Sequence, residues 1–213
     1  PNIASKEWVY RQYDHQVQTN TVAGPGGDAA VLRIKGTHKG IALATDGNGR
    51  YCYLDPHAGG MIAVAEACRN VSCTGAEPIA LTDCLNFGNP ERPDIYYQLE
   101  ECIKGMAVAS QALGVPVVSG NVSLYNETRG EAVYPTPVVG ALGLLEDVNL
   151  HVTSAFRSPG DLVVLLGAWE VRGDAELLAG SEYLELVHGV VAGRPSLDLD
   201  LEAAVQKACR AAA

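Results

Sequence analysis

Val115-Pro-Val-Val-Ser119-Gly-Asn-Val-Ser123-Leu-Tyr-Asn-Glu127 is the stretch from which the fold can be read. Its apolar opening, Val115 to Val118, reads as a buried strand. The residues after it place a glycine, an amide and two hydroxyls at that strand's carboxyl end, where ligands sit in open α/β sheets. Gly120 lets a phosphate approach the backbone with no Cβ in the way. Asn121 offers a neutral oxygen of the kind Mg²⁺ accepts. A nucleotide or phosphate site and a plain turn are both compatible with Ser-Gly-Asn after a strand.

The flanking segments build a sheet around this stretch. Upstream, Asp94 to Leu113 predicts a helix with Ile95, Leu99, Cys102, Ile103 and Met106 on one side, and Pro78 to Cys84 predicts a strand closing on Asp83. An acid ending an apolar strand either caps the next loop or faces a ligand, because burying it unpartnered is costly. Earlier still, Ala30 to Ile34 and Ile41 to Thr45 form a hairpin. A helix over about Gly59 to Cys73 follows, with Met61, Val64, Ala65 and Cys68 at core spacing. Glu66 and Asn70 stand one turn apart on another face of that helix. With Asp46 they offer three oxygens to a hard cation, or they are a solvated surface pair. Downstream, Val133 to Leu145 reads as a final strand pair. The order β-β-α-β-α-β-β predicts an α/β (α+β) mixed sheet with helices on one face.

The two ends look different. Pro1 to Asn20 reads as a short helical segment anchored by Trp8, Tyr10 and Tyr13. Ser158-Pro-Gly-Asp161 is punctuation before an expected strand, Leu162 to Leu166, so residues 1–154 are expected to form one domain and 155–213 the start of a second. The helical stretch Leu201 to Ala213 has nothing after it to pack on, and Pro1 is not preceded by methionine. The chain therefore reads as an excised piece of a longer polypeptide.

A chain of 213 residues with formal net charge −10 is a poor fit for a nucleic-acid surface. It has no apolar run near the ~18 residues of a membrane span. The glycines from Gly24 to Gly27 lack the Gly-Lys-Ser/Thr ending of a P-loop. Six cysteines with no Cys-x-x-Cys spacing read as reduced thiols of a cytoplasmic protein.

Several blocks in order carry a family resemblance: Gly26-Gly-Asp-Ala-Ala-Val31, Asp46-Gly-Asn-Gly-Arg-Tyr51, Asp83-Cys-Leu-Asn-Phe-Gly-Asn-Pro90, Ser119 to Glu127, Tyr134-Pro-Thr-Pro-Val-Val-Gly140 and Gly180-Ser-Glu-Tyr-Leu184. Together they resemble phosphoribosylformylglycinamidine synthase of the small multi-subunit type. The resemblance implies an aminoimidazole ribonucleotide synthetase-type N-terminal domain, half of a central barrel, from the second half of a duplicated polypeptide. It implies ATP-dependent amidation of formylglycinamide ribonucleotide, with Mg²⁺ as cofactor, ammonia from a glutaminase subunit, and a small bridging subunit.

By the same resemblance, Asp83 and Gly120 contact ATP, Asn121 ligates Mg²⁺, and Ser123 touches the substrate. Asp46, Glu66 and Asn70 correspond to metal ligands of an auxiliary, structural ADP site. The family's catalytic histidines belong to a Ser-His-Asn-His-Pro motif, and this chain has Asp46-Gly-Asn-Gly-Arg50 in its place, so a catalytic residue is not expected here. The alternatives are a non-catalytic nucleotide-binding or assembly module, and another superfamily enzyme such as thiamine-monophosphate kinase. A chain without the first half is expected to pair with a copy of itself through the uncovered barrel face.

Overall fold

The computed structural model describes residues 4–167 and 175–213. In chain order the elements are α1 (Glu7–Tyr10), β1 (Thr21–Ala23), β2 (Ala30–Arg33), β3 (Gly40–Asp46), α2 (Gly49–Leu54), α3 (Pro56–Ser72) and β4 (Glu77–Asn86). They continue with α4 (Pro93–Leu113), β5 (Val117–Ser123), the short pair β6 (Glu127–Thr128) and β7 (Glu131–Ala132), β8 (Thr136–Leu145), α5 (Glu182–His188) and α6 (Leu199–Ala212). Six strands form one sheet in the order β1-β2-β3-β8-β4-β5, in which only β4 and β5 run parallel. Helices α3 and α4 cover one face, so the mixed sheet with one-sided helices is as expected.

The last strand of the fold is also central. Along β8, Pro137, Val139, Ala141, Gly143 and Leu145 point to the helices while the residues between them face the other way. The strand pair expected over Val133 to Leu145 does not form. Instead, β8 is one ten-residue strand inserted between β3 and β4, and its glycines admit neighbours: a Cβ on Gly143 would collide with the Val71 side chain. The hairpin lies just upstream, in β6 and β7.

Helix α3 begins where Asp55 accepts the Ala58 amide and Pro56 takes the first turn, so the chain enters it three residues earlier than the periodicity suggested. Val64, Ala65 and Cys68 are buried as their spacing required. On α4, Ile95, Cys102 and Met106 are buried, but Ile103 falls at the edge of the stripe and is 44% exposed. Helices α3 and α4 pack backbone against backbone at Gly60 and Gly105.

Two expectations for the ends need correction. Of the aromatic residues near Pro1, Trp8 and Tyr13 do not anchor, being exposed beside a single helical turn, while Tyr10 is half-buried. Leu162 to Leu166 is not a strand; the segment runs without regular structure and its side chains face solvent. The terminal helix α6 packs back on α3. Arg69 of α3 donates twice to Glu202, at 2.8 Å each, and the buried Gln206 amide donates to the Ala65 carbonyl at 3.0 Å. Arg50 of α2 likewise forks onto Glu182 and Glu185 of α5.

The uncovered face of the sheet is apolar along Leu43, Ala80, Val118 and Leu142, around a shallow cavity of about 380 Å³. Among the described residues no helix is long and apolar enough to cross a membrane.

Candidate functional site

The parallel pair β4–β5 sets the geometry. Its register aligns Thr82 with Ser119, Asp83 with Gly120, Cys84 with Asn121 and Asn86 with Ser123. β5 therefore runs on past the predicted strand end at Val118, and the Ser-Gly-Asn that read as a turn is strand. Successive residues of a strand point to opposite faces, which divides the expected ligand set. Asp83 and Gly120 share the helix-side face, while Asn121 and Ser123 lie with Thr82, Ser119 and Cys84 on the open face.

On the helix side, the Asp83 carboxylate lies over Gly120: a Cβ built there would sit 2.8 Å from Asp83 Cγ and closer still to Oδ1. Glycine leaves room for the carboxylate to lie there. Partial burial pushes the Asp83 carboxyl above its ordinary range, so a nearby cation would favour its ionised form.

On the open face, Thr82 Oγ1 and Ser119 Oγ are 2.8 Å apart, and Asn121 Nδ2 donates to Cys84 Sγ at 3.8 Å. Gly120 and Asn121 are exposed and Ser123 half-buried, so this polar ladder is open to a ligand. The loops beyond the two strands are stitched together by Asn126, whose amide donates to Ser123 O at 2.8 Å and Phe87 O at 3.1 Å. Tyr125, with φ of 59°, makes the turn that brings Asn126 back. Thr82, Cys84 and Asn86 were not singled out from the sequence; their signal was the alternation along β4 together with the register, which only the fold supplies.

The second expected cluster also comes together. Asp46 closes β3, and Glu66 and Asn70 reach it from α3: Asn70 Nδ2 lies 3.4 Å from Asp46 Oδ2, and Glu66 shares a hydrogen bond with the same carboxylate. Burial raises the Asp46 carboxyl above its usual range against the lowering effect of the Gly47 amide, Glu66, Arg69 and Asn70. Burial and then the Asp46 charge raise Glu66. Two carboxylates raised in this way beside a neutral amide oxygen are a donor set that suits a hard cation. Among the described residues no three His, Cys, Asp or Glu side chains form a group of this kind.

Register ties the two clusters together. Asp46 and Asp83 both pair with Val139, from opposite sides, and Asp83 pairs onward with Gly120. One row across the helix-side face therefore runs Asp46, Val139, Asp83, Gly120, and two strand spacings put the acids roughly 10 Å apart. Next to Glu66, a cavity of about 320 Å³ is lined by Arg69, Arg194 and Ser196, none of which the sequence reading had marked.

The sign of one consequence is fixed by these shifts. Because the Asp46 carboxyl is harder to ionise in the folded chain than in the unfolded one, its charge costs stability above its folded pKa. That cost is relieved as pH falls through it. Asp46→Asn should raise the melting temperature of the metal-free chain near neutral pH, as measured by circular dichroism. The gain should vanish in acid; a lower melting temperature at neutral pH would contradict the assignment.

Comparison with known proteins points one way. The model of the family "AIR synthase related protein, N-terminal domain" matches residues 26–145. The Moorella thermoacetica protein "phosphoribosylformylglycinamidine synthase subunit PurL" is 59% identical over 211 residues, covering 99% of this chain and 28% of that protein. Among solved structures, PurLQS from Thermotoga maritima matches with a TM-score of 0.65 at 39% identity, over 70% of this chain and 25% of its own. T. maritima PurL complexed with FGAR matches with a TM-score of 0.59 at 41% identity, over 67% of this chain and 23% of its own. T. maritima PurL complexed with ATP gives 0.60 at 39%, over 67% and 23%. The chain thus spans about a quarter of the length of these relatives.

Proposed function

Since the chain belongs to the AIR synthase related protein family through its N-terminal domain, we propose that it supplies one part of an FGAM synthase, contacting ATP, a divalent cation and formylglycinamide ribonucleotide. The reaction is the ATP-dependent amidation of that ribonucleotide in purine biosynthesis. The observation that carries the reading is the end of β4–β5, where Asp83, Gly120, Asn121 and Ser123 fall within five residues of strand on two hydrogen-bonded neighbours.

Asp83 and Gly120 position the nucleotide from the helix-side face of the β4–β5 edge, the glycine's missing Cβ leaving room for the carboxylate, while Asn121 and Ser123 act from the open face. Asn121 Oδ1 is a ligand for Mg²⁺, and Ser123 Oγ, held near Asn126, aligns the substrate. Mg²⁺, where bound, neutralises the phosphate charge that an acidic protein would otherwise repel. The chain's own groups bind and orient; none is a general base for the amidation. Asp46, Glu66 and Asn70 hold the cation of an auxiliary nucleotide, a structural ADP, beside a cavity that Arg69 and Arg194 help to line.

The glutaminase and small bridging subunits are the partners of the whole synthase, which operates in the cytoplasm. Residues 155–213 begin its flanking domain. By itself, the chain pairs with a second copy through the open sheet face, whose apolar strip along Leu43, Val118 and Leu142 would otherwise face water.

The test is direct. Supplied with ATP, Mg²⁺, ammonia and formylglycinamide ribonucleotide, the chain alone should form no amidine product, whereas the full-length synthase carrying it should. Product from the chain alone would overturn this division of roles.

A further inference from the structure

Cys84 is the one sulfur in the polar ladder of the open face, and its surroundings fix its polarity. Asn86 is held first, because its Nδ2 donates to the Cys84 carbonyl at 2.9 Å and to the Thr136 carbonyl at 3.1 Å. Asn86 Nδ2 stands 3.6 Å from the sulfur, but with both its hydrogens on the two carbonyls it leaves Asn86 Oδ1 as the group to which the thiol donates, at 3.9 Å. The thiol has one hydrogen to give. With it committed to Asn86, only the sulfur lone pairs remain for the neighbour across the strand pair, and a lone pair can receive only the nitrogen end of an amide. Asn121 meets this requirement, its Nδ2 donating to Cys84 Sγ at 3.8 Å. Among the described residues the Asn121 side chain has no other hydrogen-bond partner, so this contact alone decides which end of the amide points outward.

We infer that Cys84 is a positioning residue that holds the Asn121 amide by its nitrogen and so presents Oδ1 to the cation. The inference rests on the proposed role of Asn121 as a Mg²⁺ ligand. A flipped amide would present NH₂ to the cation and repel it. Sulfur suits the task because it is a weak acceptor with a long bond to carbon: it reaches the amide from the neighbouring strand yet competes poorly for a hard cation. The chain Thr136, Asn86, Cys84, Asn121 thus carries orientation from the middle of the sheet to its edge. Outer groups of this kind commonly set metal affinity without touching the metal.

Two readouts separate the inference from the reading beneath it. The first is the side-chain amide resonance pair of Asn121 in the ¹⁵N-labelled, metal-free chain, assigned by its loss in Asn121→Ala. In Cys84→Ala this pair should move to random-coil positions while the backbone amides of β3 and β8 stay in place. Cys84→Ser retains the shape but shortens the reach and should move it in the same direction. An Asn121 pair unchanged in both variants overturns the inference, whatever the metal does.

The second readout is Mg²⁺ dependence of ATP binding to the full-length synthase, by calorimetry. Cys84→Ala should raise the half-saturating Mg²⁺ concentration by about 10-fold, and Asn121→Ala by at least as much. If Asn121→Ala leaves Mg²⁺ dependence intact, the ligand reading fails and the inference with it. If Asn121→Ala shifts the dependence and Cys84→Ala does not, only the inference fails.

Discussion

Gly105→Ala should unfold or severely destabilise the chain, against the usual effect of that substitution in a helix. An alanine in a helix interior is ordinarily favoured over glycine by about 1 kcal/mol. Gly105, however, lies where α4 crosses α3, and a Cβ there would stand 2.9 Å from the His57 carbonyl carbon, with the oxygen closer still. The obstacle is backbone, so no side-chain rotation relieves it. The reciprocal contact, Gly60 against the Cys102 backbone, pins the same crossing at a second point and prevents the helices from sliding apart locally. These two helices carry the buried Val64, Cys68, Cys102 and Met106 that cover the sheet. Overpacking of a rigid core costs 1–3 kcal/mol or more, and a backbone collision belongs at the upper end. A fall in melting temperature of roughly 10 °C follows from ~3 kcal/mol at this size, measurable by circular dichroism. A stabilised Gly105→Ala variant would mean the helices do not cross as described.

Gly120→Ala should behave in the opposite way, leaving the fold nearly intact and removing nucleotide binding. Gly120 has an extended backbone open to any residue, on an edge strand, and what its Cβ would meet is the carboxylate of Asp83. A short side chain can swing aside, so stability should fall by about 1 kcal/mol. The carboxylate then leaves the position from which it faces the ligand. Misplacing a positioning group by ~1 Å can cost on the order of 100-fold, and a loss of that size in ATP affinity is expected by calorimetry. Gly120→Ala binding ATP as tightly as the unaltered chain would remove Asp83 from the site. The contrast between the two glycines is informative, since the same added methyl group strikes packing in one place and function in the other.

How far the sequence led depends on whether a signal was local. Val64, Ala65 and Cys68 announced their burial by spacing alone, and Asp46, Glu66 and Asn70 could be grouped because a strand end and one helix face supply all three. Where the fold decides by register, the sequence was silent. Ser119 to Ser123 looks like a turn in isolation, yet it is strand because β4 offers it a parallel partner. Pro137, Gly140 and Gly143 look like breaks, yet they lie in a strand paired on both sides, where a Cβ on Gly143 would strike Val71 of α3 and one on Gly140 would strike Thr82 of β4. The division of Asp83 and Gly120 from Asn121 and Ser123 between two faces needed the pairing as well. The extent of α6 was legible, but its anchorage through Glu202 and Gln206 was not, because both look like surface residues until Arg69 and Ala65 are placed against them. Leu162 to Leu166 fits a strand by composition, and in this chain no neighbour among the described residues pairs with it.

The most direct measurement is a titration of Mg-ATP into the ¹⁵N-labelled chain, following backbone amides. Saturable shifts that begin at Asp83 to Asn86 and Ser119 to Ser123, and that disappear in Gly120→Ala, are the result this account predicts. Shifts confined to other parts of the sheet, or a titration that Gly120→Ala leaves unchanged, would contradict it.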